Sequence, residues 1–206
     1  MSTPTGRTPP GGPARRLSRD ERRSQLLDLG VQLLATRSLD ELSIDLLAEQ
    51  AGISRGLLYH YFGNKHAFHE AVVRRAADDL IAQTAPPTTG DALERLTVSV
   101  AAYLAYVEAN FEGYLSLVKG AAGGSAAMRD IYEEARSALT DRIFTADAQA
   151  ELVPDTAATR LAVHGWAAMA EDLVLSWVAA PTGVSREELL ALLVGSLPAV
   201  VVVATG

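Results

Sequence analysis

The sequence predicts an all-α protein, with a small N-terminal helix-turn-helix unit followed by a larger helical region. Three observations predict it. Apolar residues recur at helical spacing along most of the chain, a capping side chain stands before each apolar run, and no stretch reads convincingly as a strand.

The first helix starts at "SRDE", Ser18–Glu21, where the Ser hydroxyl can accept from the third helical N–H and Glu21 can reach back. Leu26, Leu29, Leu33 and Leu34 carry it, and the pattern fades at "TRSLDEL". Gly30 costs this helix about 1 kcal/mol relative to Ala, which predicts a close helix crossing there. Ser43 caps a short second helix ending at Gly52, Ser54 a third ending at Gly63, and Asn64 a fourth running through Phe68 and Val72 toward Leu80. "TAPPTTG", Thr84–Gly90, marks a boundary or connecting loop. Beyond it, Leu93, Leu96, Val100, Leu104, Val107 and Phe111 predict one long helix capped by Asp91. Gly120–Gly124 punctuates again, and Ser125 opens a helix carrying Met128, Ile131, Tyr132, Ala135 and Leu139. Two more helices follow, from about Thr156 to Ala180 and from Ser185 onward. The expected organisation is an arm at 1–17, a helix-turn-helix domain at 18–63, a connecting helix at 64–83 and a larger domain at 84–206.

Composition sets the broad class. A chain of 206 residues, 49% of them hydrophobic, can build a sizeable core. With no cysteine it has no disulfide framework, thiolate metal site or cysteine nucleophile, and the cytoplasm is the expected location. "MSTPTGRTPPGGPARRL", residues 1–17, lacks the apolar stretch of a secretion signal and reads as a disordered arm. Charge divides unevenly. Up to Arg75 there are 11 Lys+Arg against 8 Asp+Glu, a net of +3, and the remainder carries a net of −10. A polyanion is drawn to the N-terminal third and repelled by the rest.

The segment "AGISRGLLYHYFGNKHAF", Ala51–Phe68, gives that basic end a shape. Gly52 permits a left-handed turn after the second helix, Ile53 plugs the angle between the helices, and Ala48 keeps the crossing close. A helix-turn-helix sets the start of its second helix in the major groove. Arg55 suits a bidentate contact to guanine, and Gly56 leaves room for the DNA backbone. Tyr59, His60 and Tyr61 carry donors on flat rings that reach phosphates or sugars, and Lys65 neutralises phosphate. An ordinary helical hairpin with tyrosines in its core is the competing reading.

Residue identity favours DNA. "SIDLLAEQAGISRGLLYHYFGNKHAF" resembles the DNA-binding domain of the tetracycline-repressor (TetR) family, through Ala48, Ala51, Gly52, Ile53, Ser54, Leu58, Tyr59, Tyr61, Phe62 and Lys65. The resemblance covers roughly Ser18–Leu80. It implies DNA contacts from Ser43, Arg55, Gly56, Tyr59, His60, Tyr61 and Lys65, and packing by Ala48, Ile53, Leu58 and Phe62. Ser38, Leu34 and Ser43 depart from the family's usual Gly, Phe and Thr; the last keeps its hydroxyl. His60, His66 and His69 match no metal-site spacing and are read as surface histidines near phosphates, and no metal or cofactor is expected. No Gly-x-Ser-x-Gly elbow, P-loop or GxGxxG is present, so an enzyme is not expected.

The helix from Thr156 to Ala180 is apolar on nearly every face and is therefore buried on more than one side. The resemblance implies that one side lines an effector cavity and another meets a second subunit. Tyr103, Met128, His164, Met169 and Trp177 are the candidate effector contacts, with Glu171 or Asp172 as further polar handles; plain core packing is the alternative for each. The uncharged tail Leu189–Gly206 is shorter than a membrane span and is interrupted by Pro198, so it is expected to pair with a twofold mate through Leu189, Leu193 and Leu197. The implied function is a regulator, a repressor by expectation, that binds a palindromic operator as a homodimer and is released by a small-molecule effector. A helical ligand-binding or membrane-tethered protein without sequence-specific DNA binding is the alternative.

Overall fold

All but one of the described helices begin where a side chain can take up a free N–H group, the exception being the one that opens at Phe111. In the computed structural model, which describes residues 18–123, 125–145, 153–180 and 183–206, these starts define nine helices among the described residues. They are α1 (Arg19–Leu34), α2 (Ile44–Ala51), α3 (Arg55–Phe62), α4 (Lys65–Gln83), α5 (Ala92–Ala109), α6 (Phe111–Ala122), α7 (Ala126–Thr145), α8 (Ala157–Ala179) and α9 (Arg186–Thr205). Ser18, Ser43, Ser54, Asn64, Asp91, Thr156 and Ser185 each accept from the N–H three residues on. No strand occurs among the described residues. The arm expected at 1–17 lies outside them.

Two apolar clusters hold these helices. The first joins α1, α2, α3 and the front of α4, and Leu117 of α6 with Met128, Ile131 and Ala135 of α7 closes it from behind. The second gathers α5, α8, α9 and Tyr114 around Leu80. Helix α4 therefore belongs to both, with Phe68, Val72, Val73 and Ala77 in one and Leu80 in the other. Side chains as fully buried as Leu58, Phe68 and Leu104 each contribute roughly 1.5–3 kcal/mol by leaving water. A Cβ added at Gly30 would stand 2.7 Å from Val72 Cγ2, so this glycine lets α1 and α4 cross closely.

Three expectations are corrected here. The long helix carrying Leu93 to Phe111 stops at Ala109: Asn110 leaves helical geometry, its side chain donates to the Tyr106 carbonyl, and Phe111 opens α6. The redirected α6 lies so near α1 that a Cβ at Gly113 would meet Leu34 Cγ at 2.9 Å and its carbonyl at 3.0 Å. Pro198 does not end α9, which continues to Thr205. Leu189, Leu193 and Leu197 are buried inside a single protomer, so they are core and not a twofold surface. The exposed face of α9 is instead Leu192, Gly195, Ala199 and Val202.

Candidate DNA-binding surface and interior cavity

The turn between α2 and α3 is built from backbone. Gly52 takes φ 64 and ψ 35, which lets the Ile53 N–H return to the Ala48 carbonyl at 3.0 Å. Ala48 is buried and Ile53 packs on the first cluster, while Leu58 and Phe62 anchor α3 from beneath. Anchoring one face leaves the other free: Arg55, Gly56, Tyr59 and His60 are exposed together, and Tyr59 is 47% exposed. A Cβ at Gly56 would approach only Ser54 Oγ, at 4.0 Å. Lys65 is exposed on the first turn of α4, which Asn64 caps through the Ala67 N–H at 2.8 Å.

Two of the expected contacts sit differently. Ser43 is half-buried and its hydroxyl accepts from Leu46 N–H at 3.0 Å, and Tyr61 is half-buried on the first cluster with His60 edge-on at 5.8 Å. Arg55 forms an ion pair with Asp45 across the α2–α3 angle, a contact not anticipated from sequence. Of the three histidines, His69 is not a surface group. It is buried, and its Nε2–H donates to the Leu42 carbonyl at 2.6 Å. Burial pushes its pKa below the ordinary value, against the opposing pull of that carbonyl.

A cavity of about 120 Å³ lies in the second half of the chain, walled by α4, α5, α6, α7, α8 and α9. Its apolar wall includes Leu96, Val100, Leu139, Ile143 and Trp166. Its polar part is a chain of hydrogen bonds around Glu171: Tyr114 donates to Oε2 at 2.9 Å, Tyr132 to Oε1 at 2.8 Å, and Arg136 Nη1 to the Tyr132 hydroxyl at 2.9 Å. Tyr103 and Tyr114 hydroxyls are 2.9 Å apart. Burial first, and Glu171 beside them, raise the pKa of all three phenols, Tyr132 to about 12, so they stay protonated donors.

Of the expected effector contacts, Tyr103 lines this cavity, as does Glu171 of the two further polar handles, while Asp172 does not. Met128 is buried in the first cluster beside Gly120, His164 is exposed on α8, and Met169 faces outward from the same helix. Trp177 donates its indole N–H to the Val184 carbonyl at 2.8 Å and holds the α8–α9 turn. Tyr114, Tyr132 and Arg136 were missed as site residues. Tyr132 and Arg136, four apart on α7, were the available sign: two polar groups flanking the apolar run Ile131, Ala135 and Leu139.

Comparison with known proteins places this geometry. Residues 26–72 match the family model for bacterial regulatory proteins of the tetR family, and residues 92–200 match the Tetracyclin repressor-like C-terminal domain. A crystal structure of a tetR-family transcriptional regulator from Streptomyces coelicolor is 33% identical, superposes with a TM-score of 0.82, and is covered over 84% of its length by 92% of this chain. A putative TetR-family regulator from Rhodococcus sp. is 26% identical, with a TM-score of 0.71 over 88% of this chain and 99% of that one. The HTH-type transcriptional activator FasR of Mycolicibacterium smegmatis is 36% identical over 110 residues, 52% of this chain and only 50% of FasR. With both of its halves matched, the chain belongs to the TetR family of transcriptional regulators, all-α proteins with an N-terminal helix-turn-helix DNA-binding domain and a C-terminal helical domain.

Proposed function

We propose that the protein is a cytoplasmic repressor that binds a palindromic operator as a homodimer and leaves it when a small-molecule effector fills the interior cavity. One observation carries the reading: α4 begins at Lys65 just after α3, the helix proposed to read DNA, and its last turns reach the cavity wall through Leu80 and the capping Thr84. A ligand that favours a different placement of the α4 end shifts the population away from the DNA-binding arrangement by its differential affinity. Ser43, Arg55, Gly56, Tyr59, His60, Tyr61 and Lys65 are the proposed DNA contacts. Ser43 and Tyr61 act at the margin of the surface, since both are half-buried.

The homodimer reading rests on the outer faces of α8 and α9. Leu161, Met169, Leu192 and Val202 are exposed there, and Cβ atoms added at Gly165 and Gly195 would meet nothing within 4 Å. A second copy related by a twofold axis covers such a face with the same face. Helix α9 is long and apolar enough to cross a membrane. Its Leu189–Val201 side is nevertheless packed on α5 and α8, and Trp166 donates to the Leu193 carbonyl at 3.1 Å, which supports the soluble regulator.

Selection of bound DNA from a random pool tests the proposal. Two recognition helices on a twofold axis select inverted repeats with half-sites about 10–17 bp apart. Selected sequences without inverted symmetry sink the homodimeric reading. A promoter carrying the selected site gives the sign of control: expression rises on removal of a repressor and falls on removal of an activator.

A further inference from the structure

Every hydroxyl proton that the described residues bring to the cavity wall is committed within the chain. Thr84 donates to the Leu80 carbonyl, Ser99 to the Thr84 carbonyl and Thr140 to the Arg136 carbonyl, at 2.7, 2.6 and 3.0 Å. Tyr114 and Tyr132 both donate to Glu171. Since a phenol has one proton and that of Tyr114 is on Glu171, the Tyr103–Tyr114 bond is donated by Tyr103. These six are all of the hydroxyls that line the cavity among the described residues.

What remains open is acceptor capacity, on the Tyr103 oxygen and the Glu171 carboxylate. Apart from the Trp166 indole N–H, which donates to the Leu193 carbonyl, Arg136 supplies the remaining side-chain donors of the wall among the described residues. Its Nη1 is bound to Tyr132, its Nη2 to the His164 carbonyl at 2.9 Å, and its Nε is buried without a partner. The guanidinium carbon lies 5.9 Å from the centre of the Tyr132 ring, so the ring face already holds one cation. Tyr103, Tyr114 and Trp166 add further aromatic surface to the wall.

We propose that the cavity takes an apolar molecule bearing a protonated amine, with its N–H groups on Glu171 and the Tyr103 oxygen and its apolar body against Leu96, Val100 and Leu139. A carboxylate ligand finds no hydroxyl to donate to it, lies in the field of Glu171, and has Arg136 as its one partner. An alcohol has one O–H to give the carboxylate, where an ammonium has three N–H donors and brings a full opposite charge. The assignment rests on the reading of this cavity as the effector site and names the chemistry of that effector.

Titration calorimetry of the full chain with hexylamine, 1-hexanol and hexanoate, which share one tail, tests it. Hexylamine should bind roughly tenfold or more tightly than 1-hexanol, with hexanoate weakest. In Glu171→Gln, which keeps the side chain's shape and removes its charge, the advantage of the amine should disappear while 1-hexanol binding persists. Should Glu171→Gln not fold by circular dichroism, Tyr103→Phe removes the other acceptor and should reduce the same advantage. Hexanoate binding as tightly as hexylamine overturns the proposal and points to Arg136. No binding of hexylamine, or an amine advantage that survives both variants, overturns it as well. A mobility shift with the selected DNA is the separate arm: hexylamine that binds without weakening the DNA complex leaves the assignment standing and removes effector release.

Discussion

Arg142 of α7 donates from Nη2 to the Ile81 carbonyl of α4 at 2.6 Å, and its Nη1 reaches Thr84 Oγ1 at 3.4 Å. The last turn of a helix leaves carbonyls without intrahelical partners, and this guanidinium takes one of them. It thereby fixes the end of α4 against α7, next to the cavity. Arg142→Met keeps the stem and removes the donors. It should lower unfolding free energy by about 1–3 kcal/mol, read from urea denaturation. Unchanged stability would show that water serves that carbonyl equally well.

The ion pair between Arg55 and Asp45 gives the second prediction. Both side chains are more than half exposed, so the pair contributes little to stability, and DNA must displace Asp45 to use Arg55. Asp45→Asn should strengthen binding to all DNA sequences by about two- to fivefold. Arg55→Ala should cost about 1–3 kcal/mol at one base pair and relax preference there, whereas Lys65→Ala should weaken all sequences alike and lower the salt slope by about one. Fluorescence anisotropy across a salt series separates these patterns. Equal behaviour of all three variants and the wild type would remove α3 from the interface.

How much of this was legible in the sequence depends on how local each cause is. Ser18, Ser43, Ser54 and Asn64 cap helices through the backbone three residues on, so sequence spacing alone located those starts. The break at Asn110 was not legible, because the course of α6 is tied to the fit of Gly113 against Leu34, a contact between distant segments. On helix α8 the expectation of Glu171 at the cavity held, but those of His164, Met169 and Trp177 failed for a related reason. His164 and Glu171, seven apart, share one edge of the helix, but Tyr114 and Tyr132 cover only the level of Glu171. Which part of an apolar helix faces a cavity is decided by its neighbours.

His69 gives a prediction in pH. Its folded pKa lies below the ordinary 6.5, chiefly through burial; Lys65 and His66 add to the lowering, while the Leu42 carbonyl and Asp40 oppose it. The unfolded chain therefore binds the proton first as pH falls. Stability is full above pH 6.5, where both states are neutral, and declines as pH drops from there toward the folded value. Urea midpoints at about pH 7.5 and about pH 5.5 should differ in that direction, and His69→Phe should remove part of the difference while lowering the neutral-pH midpoint through the orphaned Leu42 carbonyl. An identical pH dependence in the variant would assign the effect to other groups.

Two adjacent leucines on α9 separate folding from assembly. Leu193 is 0% exposed, inside the cluster with Trp166 and Leu104, whereas Leu192 is 52% exposed on the face that includes Gly195 and Val202. Leu193→Glu places a carboxylate in a protomer's core without a partner, which costs several kcal/mol and should unfold the C-terminal half whatever the oligomeric state. Leu192→Glu leaves that core intact. In a twofold interface it appears twice, so each dimer gains two unpaired charges in apolar contact. It should yield a folded monomer, with a helical signal like the wild type, half the mass in analytical ultracentrifugation and weak binding to the full palindrome. A Leu192→Glu protein that remains dimeric and binds its operator normally would move the dimer surface away from α9.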